Sequence, residues 1–195
     1  MISRLTHLDP ITQDKVLALV ATSGDHDGVP PLAEHVLLHL RHGGDIADTH
    51  FVVEQDGELI GYAHLDLTDE IEGPSAEIVI APHSRNQGIG SSLLQALFEV
   101  AGSRLRLWSH GDLPGAKVIA ERNGFHRTRT VVQMRRSLGD PIPEIDSAIP
   151  VRTFLPGIDD EPWLSLNNAA FAGHPEQSEW TNRDLEIRCK ESWFE

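Results

Sequence analysis

A short glycine-containing segment, Arg85-Asn86-Gln87-Gly88-Ile89-Gly90-Ser91, has the residue types and the spacing needed to bind an anion. It precedes a stretch, residues 90–101, with apolar side chains at helical spacing. The free N–H groups of such a loop and of a helix's first turn converge on one point, where the helix dipole adds positive potential. Gly88 and Gly90 would let the backbone approach a ligand, and Arg85 would add a guanidinium. The segment therefore predicts a site for a pyrophosphate.

Two better-known phosphate loops are excluded by the spacing. The segment lacks the Gly-Lys-Ser/Thr end of a P-loop, and Gly88-Ile89-Gly90 lacks the third glycine of a dinucleotide fingerprint. On its own, a Gly-x-Gly of this kind is also typical of a tight turn that leads into a helix. The elements around the segment must therefore decide between a ligand loop and a plain turn.

Elements with clear hydrophobic periodicity surround the segment. Asp56-Gly57 between two apolar runs is a strong hairpin signal, and the apolar run 76–81 suits a strand buried on both faces. The patterns predict, in order, a helix from Pro10 to a break at Ser23-Gly24, a helix over 32–40, hairpin strands over 51–53 and 59–63, a central strand over 76–81, a helix over 90–101, a strand over 105–108, a helix over 114–123 and a last strand over 131–134. The predicted class is α/β (α+β), a mixed central sheet flanked by helices.

The elements divide the chain into three parts. The sheet with its helices fills residues 1–137 as one domain. Residues 138–150 hold Pro141, Pro143 and Pro150 among polar side chains, a composition typical of an extended linker. Residues 151–195 begin again with a strand, 151–154, and two helices, but about 45 residues without disulfides rarely fold alone. We expect this last part to be the start of a second, incomplete domain.

The composition limits the partners. A formal net charge of −14 repels nucleic-acid phosphates and anionic membranes, because binding either needs clustered Lys and Arg. No apolar run approaches the ~18 residues of a membrane span, and the N-terminus lacks a signal-peptide core. Cys189 is the single cysteine, which excludes an intrachain disulfide and a thiolate-rich zinc site, and His174 completes no metal spacing with Pro175 and Glu176. We expect a cytoplasmic monomer without metal, nucleic acid or membrane.

The central strand and the glycine loop together resemble a known cofactor motif. The run Ile78-Val79-Ile80-Ala81-Pro82, followed by Arg85-x-x-Gly88-x-Gly90, resembles the acetyl-CoA motif of the GNAT acetyltransferases, and the element order over 1–137 resembles their acyl-CoA N-acyltransferase fold. The resemblance implies acetyl-CoA as cosubstrate. It implies that the backbone of Ile78, Val79 and Ile80 pairs with the pantetheine amides, and that the loop wraps the pyrophosphate with Asn86, Gln87, Gly88, Ile89, Gly90 and Ser91.

The reaction of that fold needs proton transfers. An amine attacks the thioester only after losing a proton, so a base is required, and Glu77 and Glu34 are candidate carboxylates, each equally typical of a solvated surface charge. In the family a tyrosine four residues before the Gly-Phe after the last helix commonly protonates the thiolate, but that position is Ala120. The single tyrosine is Tyr62, on the hairpin. We therefore assign no catalytic residue, and expect cofactor binding with incomplete chemistry.

A second resemblance extends into the tail. The stretch from Asn167 to Gln177 with Trp180 after it, Gly28–Glu34 and Gln133-Met134-Arg135-Arg136 resemble the mycothiol synthase family of tandem GNAT enzymes. This implies a small-molecule amine, the cysteinyl amine of cysteinyl-glucosaminyl-inositol, as acetyl acceptor, with Glu34 and Glu176 contacting it. It also implies a truncated chain, poorly active alone, since the second half's glycine loop would lie beyond Glu195. A non-catalytic acetyl-CoA-binding module, or a GNAT enzyme acting on another small amine, remains the alternative.

Overall fold

A computed structural model describes residues 1–43, 49–69, 72–102, 104–137, 139, 141, 149–172 and 180–194. These residues fall into two compact units, the first extending from Met1 to Gly124 and the second beginning at Phe125. The elements of the first unit are β1 (Ile2–Leu5), α1 (Pro10–Asp27), α2 (Glu34–His42), β2 (Thr49–Gln55), β3 (Glu58–Asp66), β4 (Ser75–Ile80), α3 (Ile89–Ala101), β5 (Arg106–Leu107) and α4 (Pro114–Arg122), with 3-10 turns at Pro82–Ser84 and His110–Asp112. The second unit contains α5 (Asp160–Ala170) and α6 (Asn182–Cys189).

The described strands form one five-stranded sheet in the order β1-β2-β3-β4-β5. The first four strands pair antiparallel, and β4 pairs with β5 in parallel through α3. The hairpin between β2 and β3 turns at Asp56 and Gly57, which both have positive φ, as a two-residue turn of this type requires. The mixed sheet flanked by helices confirms the predicted fold class.

Helix α1 is longer than its sequence predicts. Its start is as expected, because Asp9 accepts hydrogen bonds from the N–H groups of Ile11 and Thr12 and Pro10 occupies the first turn. The predicted break at Ser23-Gly24 is wrong, since the helix continues to Asp27 and ends at Gly28 in a left-handed conformation. A single internal glycine costs a helix only about 1 kcal/mol, which packing overrides. The extra turn carries Asp27 to a contact that matters for the site.

The core of the first unit lies on both faces of the sheet. Leu93, Leu94 and Leu97 of α3 are buried, and so are Val16 and Leu19 of α1. Packing is close where α3 crosses β3, since a Cβ on Gly61 would lie 3.1 Å from Cγ2 of Ile89. The sheet therefore holds the beginning of α3 rigidly next to the end of β4.

Two predicted strands are not strands. Residues 131–134 and 151–154 have no regular secondary structure, and Val132 and Met134 are 72% and 92% exposed. A strand requires a long partner edge, whereas β5 at the end of the sheet is two residues long. The compact part of the first unit accordingly stops before the predicted boundary at 137. The three-part division of the chain stays a prediction, since most of 138–148 lies outside the described residues.

Candidate functional site

The end of β4 presents peptide groups on the side that faces away from β3. The N–H of Ala81 donates to the Ile60 carbonyl on β3, whereas the Ala76 carbonyl accepts from Trp108 N–H just after β5. Peptide groups alternate along a strand, so those of Ile78 and Ile80 point away from β3, like those of Ala76. The parallel ladder pairs only Ser75 and Ala76 with β5. The strand therefore continues beyond its partner with an edge that can accept an extended ligand.

The glycine loop leads directly into the N-terminus of α3. Asn86 and Gly88 have positive φ values of 61° and 86°, and Gly88 is the N-cap residue. No described side chain caps this end of the helix. The N–H groups of Ile89, Gly90 and Ser91 have no acceptor within the helix, because the first turn of any helix lacks one. These donors and the positive end of the dipole form a site for an anion.

The two glycines of the loop serve different purposes. A Cβ on Gly88 would meet no atom within 4 Å, so Gly88 is required by its left-handed φ rather than by crowding. Gly90 is buried, and a Cβ there would lie 2.8 Å from Cδ1 of Ile119 on α4. A side chain at Gly90 would therefore collide with α4, and the ligand contact expected for Gly90 stays a prediction.

Arg85 does not have the expected free guanidinium. Its Nη1 and Nη2 donate to the two carboxylate oxygens of Asp27, each at 2.7 Å, and its Nε donates to the Ile80 carbonyl at 3.1 Å. The hydrogen bonds from Arg85 lower the pKa of Asp27 to about 2, and Asp27 raises the pKa of Arg85 in turn. Sequence alone missed this partner because it placed Asp27 outside α1. The bidentate pair fastens the loop to the end of α1.

Glu77 is not the solvated surface charge that one interpretation of the sequence allowed. Its side chain is 4% exposed, Oε2 accepts the Ala33 N–H at 2.8 Å, and Oε1 lies 3.2 Å from His110 Nε2. Its partner across the ladder is His64 on β3, which is also buried. No sequence pattern pointed to His110, which lies three residues beyond β5. Glu77 thus joins the start of α2, the central strand and the turn after β5.

Glu34 lies close to this network along the chain. It is the first residue of α2, it is exposed, and it follows Ala33, whose N–H binds Glu77. Glu176, the other predicted substrate contact, lies outside the described residues, as does His174. The structure therefore places only one of the two predicted substrate carboxylates.

The side chain that could protonate a leaving thiolate is missing from α4. Ala120 is a half-buried residue of that helix. Tyr62 does not replace it, since its ring is fully buried and its hydroxyl lies 2.8 Å from Nδ1 of His50. Tyr62 is a core residue of β3, in a polar pair with a neighbouring strand.

Two described residues of the tail motif, Asn168 and Trp180, contact each other in the second unit. Asn168 of α5 accepts the Trp180 N–H through Oδ1 and donates to the Trp180 carbonyl through Nδ2, both at 2.9 Å. The Trp180 ring contacts Trp163 in a tilted arrangement, with centroids 5.3 Å apart and planes at 54°, and Arg188 lies over the face of the Trp180 ring. Among the described residues, neither unit contains three or more His, Cys, Asp or Glu side chains placed to hold a metal ion.

Comparisons with known proteins agree with this geometry. Residues 47–127 match the family model described as the acetyltransferase (GNAT) domain. They include the whole strand, loop and helix unit, so this part of the chain is similar to a GNAT acetyltransferase domain. The sequence of the chain as a whole is similar to mycothiol acetyltransferases. It is 50% identical to the one from Acidothermus cellulolyticus, over 96% of this chain and 59% of that protein, and 47% identical to the one from Streptosporangium roseum, over 100% and 60%.

Both resemblances stated from the sequence are thus confirmed. The chain spans about three fifths of the length of the curated relatives it matches. Solved structures show the same fold. A GCN5-related N-acetyltransferase from Sphaerobacter thermophilus matches with a TM-score of 0.59 at 21% identity, over 96% of this chain and 62% of that one. A tandem GNAT protein from the clavulanic acid biosynthesis pathway matches with a TM-score of 0.53 at 24% identity. This match covers 66% of this chain and 44% of that one. Within the described part of the chain, no helix is both long and apolar enough to span a membrane.

Proposed function

We propose that this chain is the acetyl-CoA-binding part of an N-acetyltransferase of mycothiol biosynthesis. The enzyme acetylates the cysteinyl amine of cysteinyl-glucosaminyl-inositol, and the products are mycothiol and CoA. The similarity to mycothiol acetyltransferases along almost the whole chain supports the substrate. The single observation that supports acetyl-CoA as the cofactor is the uncapped N-terminus of α3, which β4 and the loop position.

Two groups of backbone atoms take up the cofactor in this proposal. The pyrophosphate lies on the loop from Asn86 to Ser91, where backbone N–H groups bind it, because the net charge of −14 does not attract an anion. The pantetheine lies along β4, but the peptide groups of Val79 point toward β3 and the Ile80 carbonyl is taken by Arg85. The backbone groups left to contact the pantetheine are therefore the N–H and the carbonyl of Ile78 and the N–H of Ile80.

Glu34 is the proposed contact of the acceptor within the described residues. Its carboxylate can accept hydrogen bonds from sugar hydroxyls or from the ammonium group. It is exposed at the start of α2, and the N–H of the preceding residue, Ala33, donates to Glu77. Glu176 remains a second proposed contact from the tail motif. No metal takes part in the proposed reaction.

A second candidate function is a non-catalytic acetyl-CoA-binding module that supports a catalytic partner domain. Ala120 favours it, because the acid expected for the thiolate is absent from α4. Both candidates share the cofactor site, so binding tests the site and turnover separates them. An enzyme of the same fold acting on another small amine would show turnover with that amine instead.

Calorimetric titration with acetyl-CoA tests the cofactor site. Ser91→Asp places a carboxylate in the first turn of α3. There it interacts favourably with the helix dipole, which stabilises the helix, but it repels a pyrophosphate. We expect affinity to fall at least about tenfold, or 1.4 kcal/mol, while the melting temperature does not fall. Gln95→Glu is the matched control, because Gln95 is exposed one turn further along the same helix. Equal affinities for both variants and the wild type would show that the anion site is elsewhere.

A further inference from the structure

The contact between Asp27 and Arg85 joins three parts of the first unit at the edge of the proposed acetyl-CoA site. Asp27 is the last residue of α1, and its side chain is 6% exposed. Arg85 directly precedes the loop from Asn86 to Ser91. Nη1 and Nη2 of Arg85 donate to Asp27, and Nε donates to the carbonyl of Ile80, the last residue of β4. The planar guanidinium is therefore a rigid connection between α1, β4 and the start of the loop.

The loop residues that follow Arg85 lie at the surface, and their backbone conformation is uncommon. Asn86, Gln87 and Gly88 are exposed, and Asn86 has a φ of 61°. Non-glycine residues with such φ values are uncommon and persist only where their surroundings enforce them. At its exit the loop is held by the first turn of α3, where the N–H of Ser92 donates to the Gly88 carbonyl at 3.0 Å. Arg85 fixes the other end, the entry to the loop.

Arg85 could act on a bound pyrophosphate through its charge or through its geometry, and the two roles give Asp27 opposite effects. If Arg85 acts through charge, Asp27 weakens binding, because its carboxylate neutralises the guanidinium and repels phosphates. If Arg85 acts through geometry, Asp27 strengthens binding, because it holds the guanidinium in place. Two parallel hydrogen bonds of 2.7 Å between charged groups are a strong and orienting contact. With the third bond, from Nε to Ile80, the guanidinium is directed at protein groups, and this arrangement favours geometry.

We infer that Asp27 is a positioning residue of the acetyl-CoA site and that Arg85 acts on the cofactor through the shape of the loop, not through its charge. This inference rests on the proposed function. Asp27 acts through Arg85 and needs no contact with the cofactor. The N–H groups of the loop and of the first turn of α3 converge on one point while Asn86 and Gly88 keep their left-handed conformations. A loop that is already ordered loses less entropy when the ligand binds, so the contact raises affinity.

Calorimetric titration with acetyl-CoA at neutral pH, at a temperature where every variant is folded, tests the direction of the effect. We expect Asp27→Asn to weaken binding by about fivefold or more, because the ligand must then order the loop. Arg85→Lys keeps the positive charge but loses the fork, so it should weaken binding by a similar factor. The double variant should bind no more weakly than the weaker single variant, because both substitutions remove the same contact.

A second ion pair of the first unit provides the matched control. Asp69 accepts from Nη2 of Arg106 at 2.6 Å. Arg106 lies opposite Ser75 at the beginning of β4, and Ile80 is at the other end of that strand. Asp69→Asn therefore also takes a carboxylate from an arginine, but far along the strand from the loop. It should leave the affinity for acetyl-CoA at the wild-type value.

Backbone nitrogen relaxation of the ligand-free protein measures the order of the loop directly, on the picosecond to nanosecond timescale. The order parameters of Asn86 and Gln87 should fall in Asp27→Asn and remain at their wild-type values in Asp69→Asn. A role of the ion pair in stability alone would change the free energy of unfolding but not these order parameters.

Three outcomes would overturn the inference. Affinity of Asp27→Asn equal to or above that of the wild type would show that the guanidinium acts through charge or not at all. An equal loss of affinity in Asp69→Asn would show a general effect of destabilisation, and unchanged order parameters in Asp27→Asn would show that the contact does not hold the loop. Absence of acetyl-CoA binding by the wild type would instead reject the proposed function, while the relaxation measurement, which needs no ligand, would still report whether Asp27 orders the loop.

Discussion

The ion pair between Asp27 and Arg85 makes a direct prediction about stability. The Asp27 side chain is 6% exposed, and its pKa is lowered from 3.8 to about 2 by the hydrogen bonds from Arg85. A lowered pKa stabilises the fold above the unfolded value, and that contribution disappears as the pH falls from about 4 to about 2. We expect Asp27→Asn to reduce the free energy of unfolding by roughly 2 kcal/mol at pH 7, and by much less near pH 2.

Chemical denaturation at both pH values measures this difference. Asp25→Asn is a suitable control, since Asp25 is an exposed carboxylate on the same helix. A loss of stability in Asp27→Asn that is the same at pH 2 and pH 7 would show that the contact acts through packing instead of charge.

The different roles of Gly88 and Gly90 lead to a second prediction. Gly88→Ala places a Cβ on a residue with φ of 86°, which costs about 1–2 kcal/mol wherever it occurs. Gly90→Ala costs less, because the atom it meets is the end of the flexible Ile119 side chain and alanine favours a helix by up to about 1 kcal/mol. Urea unfolding of the two variants compares them. A larger loss for Gly90→Ala would mean that Ile119 cannot move.

Strands and helices with strong local signals were predictable, and contacts between distant residues were not. The hairpin at Asp56-Gly57 and the unit of β4, loop and α3 follow from short-range periodicity and turn chemistry. The run 131–134 has the composition of a strand, but a composition does not reveal whether a partner edge exists. The loop of the site was likewise visible, whereas the pairing of Glu77 with His110, 33 residues apart, required the fold.

Helices α5 and α6 of the second unit depend on one asparagine. Asn168 makes two hydrogen bonds to the backbone of Trp180, each worth about 1 kcal/mol net. We expect Asn168→Ala to lower the melting temperature of this unit and to weaken the near-ultraviolet dichroism of the Trp163–Trp180 pair. Asn168→Asp keeps the acceptor and loses the donor, so its melting temperature and dichroism should lie between those of the wild type and those of Asn168→Ala. Ser165→Ala, at an exposed position of α5, should leave the signal unchanged, and an unaltered spectrum in Asn168→Ala would contradict the assignment.

For the chain as a whole we expect cofactor binding and turnover to separate. Loss of a general acid typically costs about 10²- to 10⁴-fold in rate, so the wild-type chain should transfer acetyl groups slowly although it binds acetyl-CoA. Ala120→Tyr should raise that rate. Labelled acetyl-CoA with the cysteinyl-glucosaminyl-inositol amine provides the assay, and a full-length mycothiol acetyltransferase provides the reference. A turnover number of the wild-type chain equal to the reference would contradict the prediction.

The engagement of Arg85 with Asp27 also determines how fast an anion can arrive. The guanidinium beside the loop is already neutralised by its partner, and the remaining field of the molecule, with net charge −14, repels acetyl-CoA at long range. Dissolved salt screens such repulsion beyond about 10 Å at 0.1 M, whereas the backbone donors act only at contact. Stopped-flow association should therefore become faster as ionic strength rises, with little change in dissociation. An arginine-lined pocket in a positively charged protein would show the opposite trend.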